Sequence, residues 1–109
     1  MGHDKRKDKR IRKRYSLKFG EETPIRVGFT EDISETGIFI RSPSVMPPNT
    51  ILTVALKNKN SGDDVLLKGR IMWAKKVPQN MMHRIKGGMG LLITEFIEGE
   101  ETYRNLCDR

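Results

Sequence analysis

Asp64-Val65-Leu66-Leu67-Lys68-Gly69-Arg70-Ile71-Met72-Trp73-Ala74-Lys75 is the stretch on which the fold turns. Val65, Leu67, Ile71 and Trp73 share one phase of an alternation, and Lys68 and Arg70 take the other. A period of two puts one set on each side of an extended chain, whereas a helix repeats every three to four residues. The segment predicts a strand with Val65, Leu67, Ile71 and Trp73 facing a core. Four other segments read the same way. Residues 24–30 alternate Ile25, Val27 and Phe29 with Arg26, Gly28 and Thr30, which points the first three inward. Gly37–Arg41 is built on Ile38, Phe39 and Ile40, and residues 50–57 align Leu52, Val54 and Leu56. Residues 88–96 are apolar on both faces in their middle.

Turn formers separate these runs: residues 31–36, Pro47-Pro48-Asn49 and Ser61-Gly62-Asp63. Short strands at this spacing argue for a small antiparallel barrel or sandwich, an all-β fold. Residues 98–109 change period. Tyr103, Leu106 and Cys107 stand at i, i+3 and i+4 and predict a short C-terminal helix capping one end. Segment 76–87, KVPQNMMHRIKG, has no strand pattern. It reads either as a loose hairpin loop or as a lid facing a ligand.

The chain has 109 residues, one domain's worth, and can bury roughly 60–70% of its unfolded surface. No apolar run approaches the roughly 18 residues of a membrane span, and the basic N-terminus lacks the apolar segment of a signal peptide. Cys107 is the only cysteine, which excludes an intrachain disulfide and a cysteine-based zinc site. A reduced, cytoplasmic setting is expected.

The net charge is +7, and residues 1–18 account for all of it with nine basic and two acidic side chains. The expected organisation is a flexible basic arm over residues 1–14 and a neutral barrel with its helix over residues 15–109. Such an arm is solvated when free and attracts anions. It has no apolar face for membrane insertion.

Signatures of catalysis and of metal binding are missing, and the chain reads as a binding module rather than an enzyme. His83 has no carboxylate or second histidine at metal-ligand spacing. Gly87-Gly88-Met89-Gly90 opens a strand rather than a helix, which argues against a phosphate loop, and turn glycines account for it.

Two constellations remain. In Arg10-Ile11-Arg12-Lys13-Arg14, two arginines are four apart. Their side chains lie about 6 Å apart in a helix or about 13 Å apart on one face of an extended chain. Guanidinium forks pair with phosphate oxygens or with O6 and N7 of guanine, and they stack on aromatic rings. In Asp32-Ile33-Ser34-Glu35-Thr36-Gly37, Asp and Ser are turn formers and glycine tolerates positive φ. The same turn presents Asp32 as an acceptor for the N–H groups of a guanine edge, and Ser34 as a donor to a phosphate or carbonyl. Gly37 allows close approach of backbone and ligand.

Arg-x-x-x-Arg followed by Asp-x-Ser-x-x-Gly and an apolar strand resembles the signature of PilZ domains. Leu67-Lys68-Gly69-Arg70-Ile71-Met72-Trp73 resembles that family's Gly-x-Val-x-Trp strand, and Gly90-Leu91-Leu92-Ile93 through Phe96 resembles its last core strand. The resemblance covers residues 9–106. It implies a six-stranded antiparallel barrel with a C-terminal helix. The sixth strand would come from splitting the 64–75 segment or from residues 14–19. It also implies cyclic di-GMP as ligand, with Arg10 and Arg14 on its phosphates and guanine faces, and with Asp32, Ser34 and Gly37 reading a guanine. Lys9 stands where the family often has a further arginine; it supplies charge without a stacking plane. The expected function is a cyclic di-GMP receptor and adaptor that orders its arm on binding and signals through contacts with an effector protein. The competing readings are a nucleic-acid-binding barrel with a basic arm and a ligand-free interaction module. Nucleic acid is disfavoured, because the body is neutral and the core claims several of the seven aromatics.

Overall fold

The computed structural model describes residues 9–57, 64–81 and 87–108. Six strands, β1 (Ser16–Gly20), β2 (Arg26–Ile33), β3 (Gly37–Arg41), β4 (Ile51–Leu56), β5 (Val65–Lys75) and β6 (Gly88–Glu98), precede one helix, α1 (Glu100–Leu106). The strands close into a barrel in the order β1-β2-β3-β6-β5-β4, and β1 pairs with β4 to complete the ring. Every neighbouring pair is antiparallel. Closure removes the edge strands that would otherwise expose unpaired backbone. The sixth strand comes from the 14–19 region, not from a split of residues 64–75. Among the described residues no helix is long and apolar enough to cross a membrane.

The interior is filled by alternate residues from each strand. Leu17 and Phe19 of β1, Leu52, Val54 and Leu56 of β4, and Val65, Leu67 and Ile71 of β5 are buried. From α1, Tyr103 and Leu106 close one end, with the Tyr103 ring 5.5 Å from Phe96. The helix is shorter than the 98–109 segment that shows the change of period: β6 runs on to Glu98, Gly99 turns the chain at φ 83°, and Cys107 caps the C-terminal end.

Two faces differ from the expectation. Ile25 and Val27 are 69% and 64% exposed, and Phe29 is only partly buried, so this set points outward. Gly28 and Thr30 face the core instead. A bulge between Thr30 and Asp32 then shifts the register, so that Thr30 pairs with Ile40 but Asp32 pairs with Phe39. The extra residue restores Ile33 to the inside and turns Glu31 and Asp32 outward together. Trp73 is likewise 45% exposed rather than core, because the β5–β6 register shifts between Ile71 and Trp73. The described part of the 76–87 segment contains a 3₁₀ turn at Gln79–Met81, and residues 82–86, His83 among them, lie outside the described residues.

Candidate ligand-binding site

The site begins with the bulge. Consecutive outward carboxylates are unavailable to a regular strand, because neighbours point to opposite faces. The extra residue in β2 gives the barrel an outer row of Phe29, Glu31 and Asp32.

Residues 9–15 lie along that row. Ile11 and Ile33 exchange backbone hydrogen bonds, Ile11 N–H to Ile33 O at 2.8 Å and the reverse at 2.9 Å. The buried Thr30 hydroxyl donates to Lys13 O and accepts from the Tyr15 N–H. With Ile11, Lys13 and Tyr15 facing β2, Arg10, Arg12 and Arg14 face away from the core. The extended alternative for the arginine pair is therefore the one realised. Each arginine finds a group of the row. Arg10 Nε donates to Asp32 Oδ1 at 2.7 Å, and Arg12 donates to Glu31 at 3.0 Å. The Arg14 guanidinium stacks 3.9 Å above the centre of the Phe29 ring. Arg41 of β3 adds a second guanidinium to Glu31 at 3.4 Å. Four guanidinium groups against two carboxylates leave this patch two positive charges in excess.

The β2–β3 turn supplies the next layer. Ser34 N–H donates to Gly37 O at 2.9 Å, and Ser34 Oγ accepts from the N–H groups of Gly37 (3.1 Å) and Thr36 (3.3 Å). Ser34 is fully buried, and Arg10 reaches its hydroxyl from outside at 3.4 Å. The hydroxyl organises the turn and marks where the arginine lands. Gly37 has no positive φ. Its missing side chain matters for packing, since a Cβ there would lie 2.8 Å from the Leu91 carbonyl oxygen of β6.

Arg10, Asp32 and Gly37 line a groove of about 300 Å³ together with Thr36, Phe39, Met72, Trp73, Gly90, Leu91 and Leu92. Its aromatic wall is a T-shaped pair, Phe39 and Trp73, with ring centroids 5.1 Å apart. The indole lies against Gly90, where any Cβ would run into it. Gly90 is thus the seat of the tryptophan rather than a turn glycine. Arg14 opens on an adjoining recess of about 330 Å³ with Phe29, Glu31 and Arg41. Lys9 lines a third, beyond Arg10, with Ile11, Arg12, Cys107 and Asp108. Arg10, Asp32, Ser34 and Gly37 are therefore brought together, while Arg14 and Lys9 flank them.

Phe39, Trp73, Glu31 and Phe29 were not among the expected site residues. For Trp73 the strand pattern pointed the wrong way, and only a register shift exposes it. A polar Glu31-Asp32 pair inside a run of alternation is the one signal that could have marked the bulge. Among the described residues no group of three or more His, Cys, Asp or Glu is placed to hold a metal ion.

The fold and the groove define a class, a small closed barrel that carries guanidinium groups, a carboxylate and aromatic rings around one groove. Residues 4–107 match the PilZ domain, and the chain belongs to that family. PilZ domains are cyclic di-GMP-binding receptor and adaptor modules rather than enzymes. Among solved structures the chain is similar to the Bacillus subtilis inhibitor of motility, MotI/DgrA, with a TM-score of 0.66 at 15% identity. The match covers 92% of this chain and 51% of that one, so the chain spans about half the length of its structural relative. At that identity the likeness is one of fold. No curated protein matches the chain.

Proposed function

We propose that the chain is a cytoplasmic receptor for cyclic di-GMP that acts as an adaptor toward an effector protein. One observation carries this reading. Two motif halves 22 residues apart meet as Arg10 on Asp32, at the mouth of a groove walled by Phe39 and Trp73.

The ligand is a flat dianion with two guanines. Its phosphates call for guanidinium groups, and Arg10 and Arg14 supply them from one face of the arm. Asp32 is suited to accept from a guanine N–H edge, and the exposed indole of Trp73 offers a surface for a base. Ser34 and Gly37 hold the turn and leave room beside it. Lys9 adds charge at the rim.

The Arg10–Asp32 pair must open for this exchange. Arg10 is 45% exposed and Asp32 21%, so the pair is a surface pair worth about 1 kcal/mol or less. A charge-assisted hydrogen bond to the ligand contributes roughly 1.5–3 kcal/mol, so exchange of partner is favourable. Several such bonds, reduced by the ordering of the arm, suit micromolar affinity, about −8 kcal/mol. Because Ile11 already pairs with Ile33, we read ligand-induced ordering as a firmer hold on the arm, with residues 1–14 as the signalling segment.

Trp73 is the only tryptophan, so intrinsic fluorescence reads the groove directly. Cyclic di-GMP is expected to change its emission saturably at micromolar concentration, with GMP far weaker. An emission unchanged up to millimolar cyclic di-GMP would overturn the assignment of this groove.

A further inference from the structure

We infer that Tyr103 is a positioning residue for the ligand-binding turn, and that α1 clasps both halves of the site. This rests on the receptor reading above.

The Tyr103 hydroxyl donates toward two backbone carbonyls of the turn, Ser34 O at 2.6 Å and Gly37 O at 3.3 Å. The residue is fully buried and comes from 66 positions away in sequence. Those carbonyls belong to the two residues whose other groups build the site. Ser34 Oγ receives Arg10, and Gly37 N–H is bonded to that same oxygen. A phenol that holds the carbonyls therefore sets how the hydroxyl is presented to Arg10. The turn's own bonds fix its shape and the Ile11–Ile33 pair ties its start to the arm, while the Tyr103 hydroxyl is what ties it to α1.

The second contact comes from the other half. Lys13, between Arg10 and Arg14, donates through Nζ to Leu106 O at the end of α1, at 3.4 Å. Seven residues of helix thus touch the turn at one point and the arm at another. A ligand that draws on both must load α1 through both contacts. By linkage, whatever displaces α1 changes ligand affinity in the same measure. The helix is then a route by which occupancy of the groove is felt at the far side of the arm.

Tyr103→Phe keeps the ring against Phe96 and removes only the hydroxyl. Amide exchange of the variant, without ligand, is expected to speed at Thr36 and Gly37 by roughly ten-fold while β4 core amides are unchanged. Calorimetry should show cyclic di-GMP affinity weakened by roughly ten-fold. Cys107, one turn beyond Tyr103, provides the readout of the clasp. Ligand should slow its alkylation in the wild type but not in saturated Tyr103→Phe. Unchanged exchange at Gly37 overturns the positioning role whether or not cyclic di-GMP binds. Wild-type binding with equal affinity in the variant overturns it too. Equal protection of Cys107 in both proteins at saturation means direct shielding and overturns the clasp. No heat with the wild type, by contrast, removes the receptor reading and the clasp with it.

Discussion

Arg10 cannot give the same N–H groups to Asp32 and to a phosphate. That competition sets the behaviour of its variants. Arg10→Lys keeps the charge and loses the planar fork, so cyclic di-GMP affinity should fall by about ten-fold or more in calorimetry. Thermal stability should move by no more than the roughly 1 kcal/mol of a surface pair. Gly37→Ala is expected to behave in the opposite sense, as a fold defect first. The new methyl meets a backbone carbonyl of β6 at 2.8 Å, which cannot swing aside as a side chain would. Overpacking of this kind costs about 1–3 kcal/mol, or a drop of roughly 4–20 °C in melting temperature at this chain length. A Gly37→Ala protein that melts like the wild type would show that β6 shifts freely there. Trp73 is half-exposed, so Trp73→Ala should weaken ligand binding with a smaller loss of stability than a buried aromatic would give.

At the scale of elements, β2 and the arm act as one unit, joined by Ile11–Ile33 and by the Thr30 hydroxyl. Thr30→Val keeps the volume and strands two backbone groups, Lys13 O and Tyr15 N–H. We expect destabilisation of about 1–3 kcal/mol, and amide exchange should be faster at residues 11–15 than elsewhere in the barrel. Just beyond α1, beside the arm, burial pushes the Cys107 thiol above its ordinary value of 9.0. Only the thiolate is alkylated, so at pH 8 Cys107 should react more slowly than an exposed cysteine. Its rate should still be rising where an ordinary thiol has levelled off. The strands themselves were legible where both faces are regular: Leu52, Val54 and Leu56 are inside as their alternation requires. Reading failed at Trp73 and at β2 for different reasons. Trp73 lies beyond the register shift after Ile71 and changes face there. A single inserted residue exchanges the two faces of a strand, and hydrophobic periodicity carries no record of it. Ile25, Val27 and Phe29 instead precede the β2 bulge and form an apolar outer row that alternation alone assigns to the core. Ile25 and Val27 look like core by composition, yet Gly28 and Thr30 take the inner positions. Strand β1 was hard to see because its polar outer positions, Ser16 and Lys18, continue the basic character of the arm. Arg10, Arg14, Asp32, Ser34 and Gly37 were legible as motifs. The pairing of Arg10 with Asp32, the stacking of Arg14 on Phe29 and the burial of Ser34 depend on strand register and could not be.

For the whole molecule, the net charge of +7 sits at one end of the chain, and part of it is answered by Glu31 and Asp32. A compact dianion held in a formed groove should lose affinity only mildly between low and physiological salt. A binder that tracks a nucleic-acid backbone loses it steeply, by a power set by the number of phosphates neutralised. The barrel closed on itself, with residues 9–15 running back along β2, favours a small ligand over a long polymer. The most direct measurement is isothermal titration calorimetry of the wild type, Arg14→Ala and Asp32→Ala with cyclic di-GMP near physiological salt, with GMP as control. Saturable heat at micromolar concentration is expected for the wild type alone, with a stoichiometry of one ligand or of a stacked pair. Absence of heat with the wild type, or equal heat with Asp32→Ala, would contradict the receptor reading.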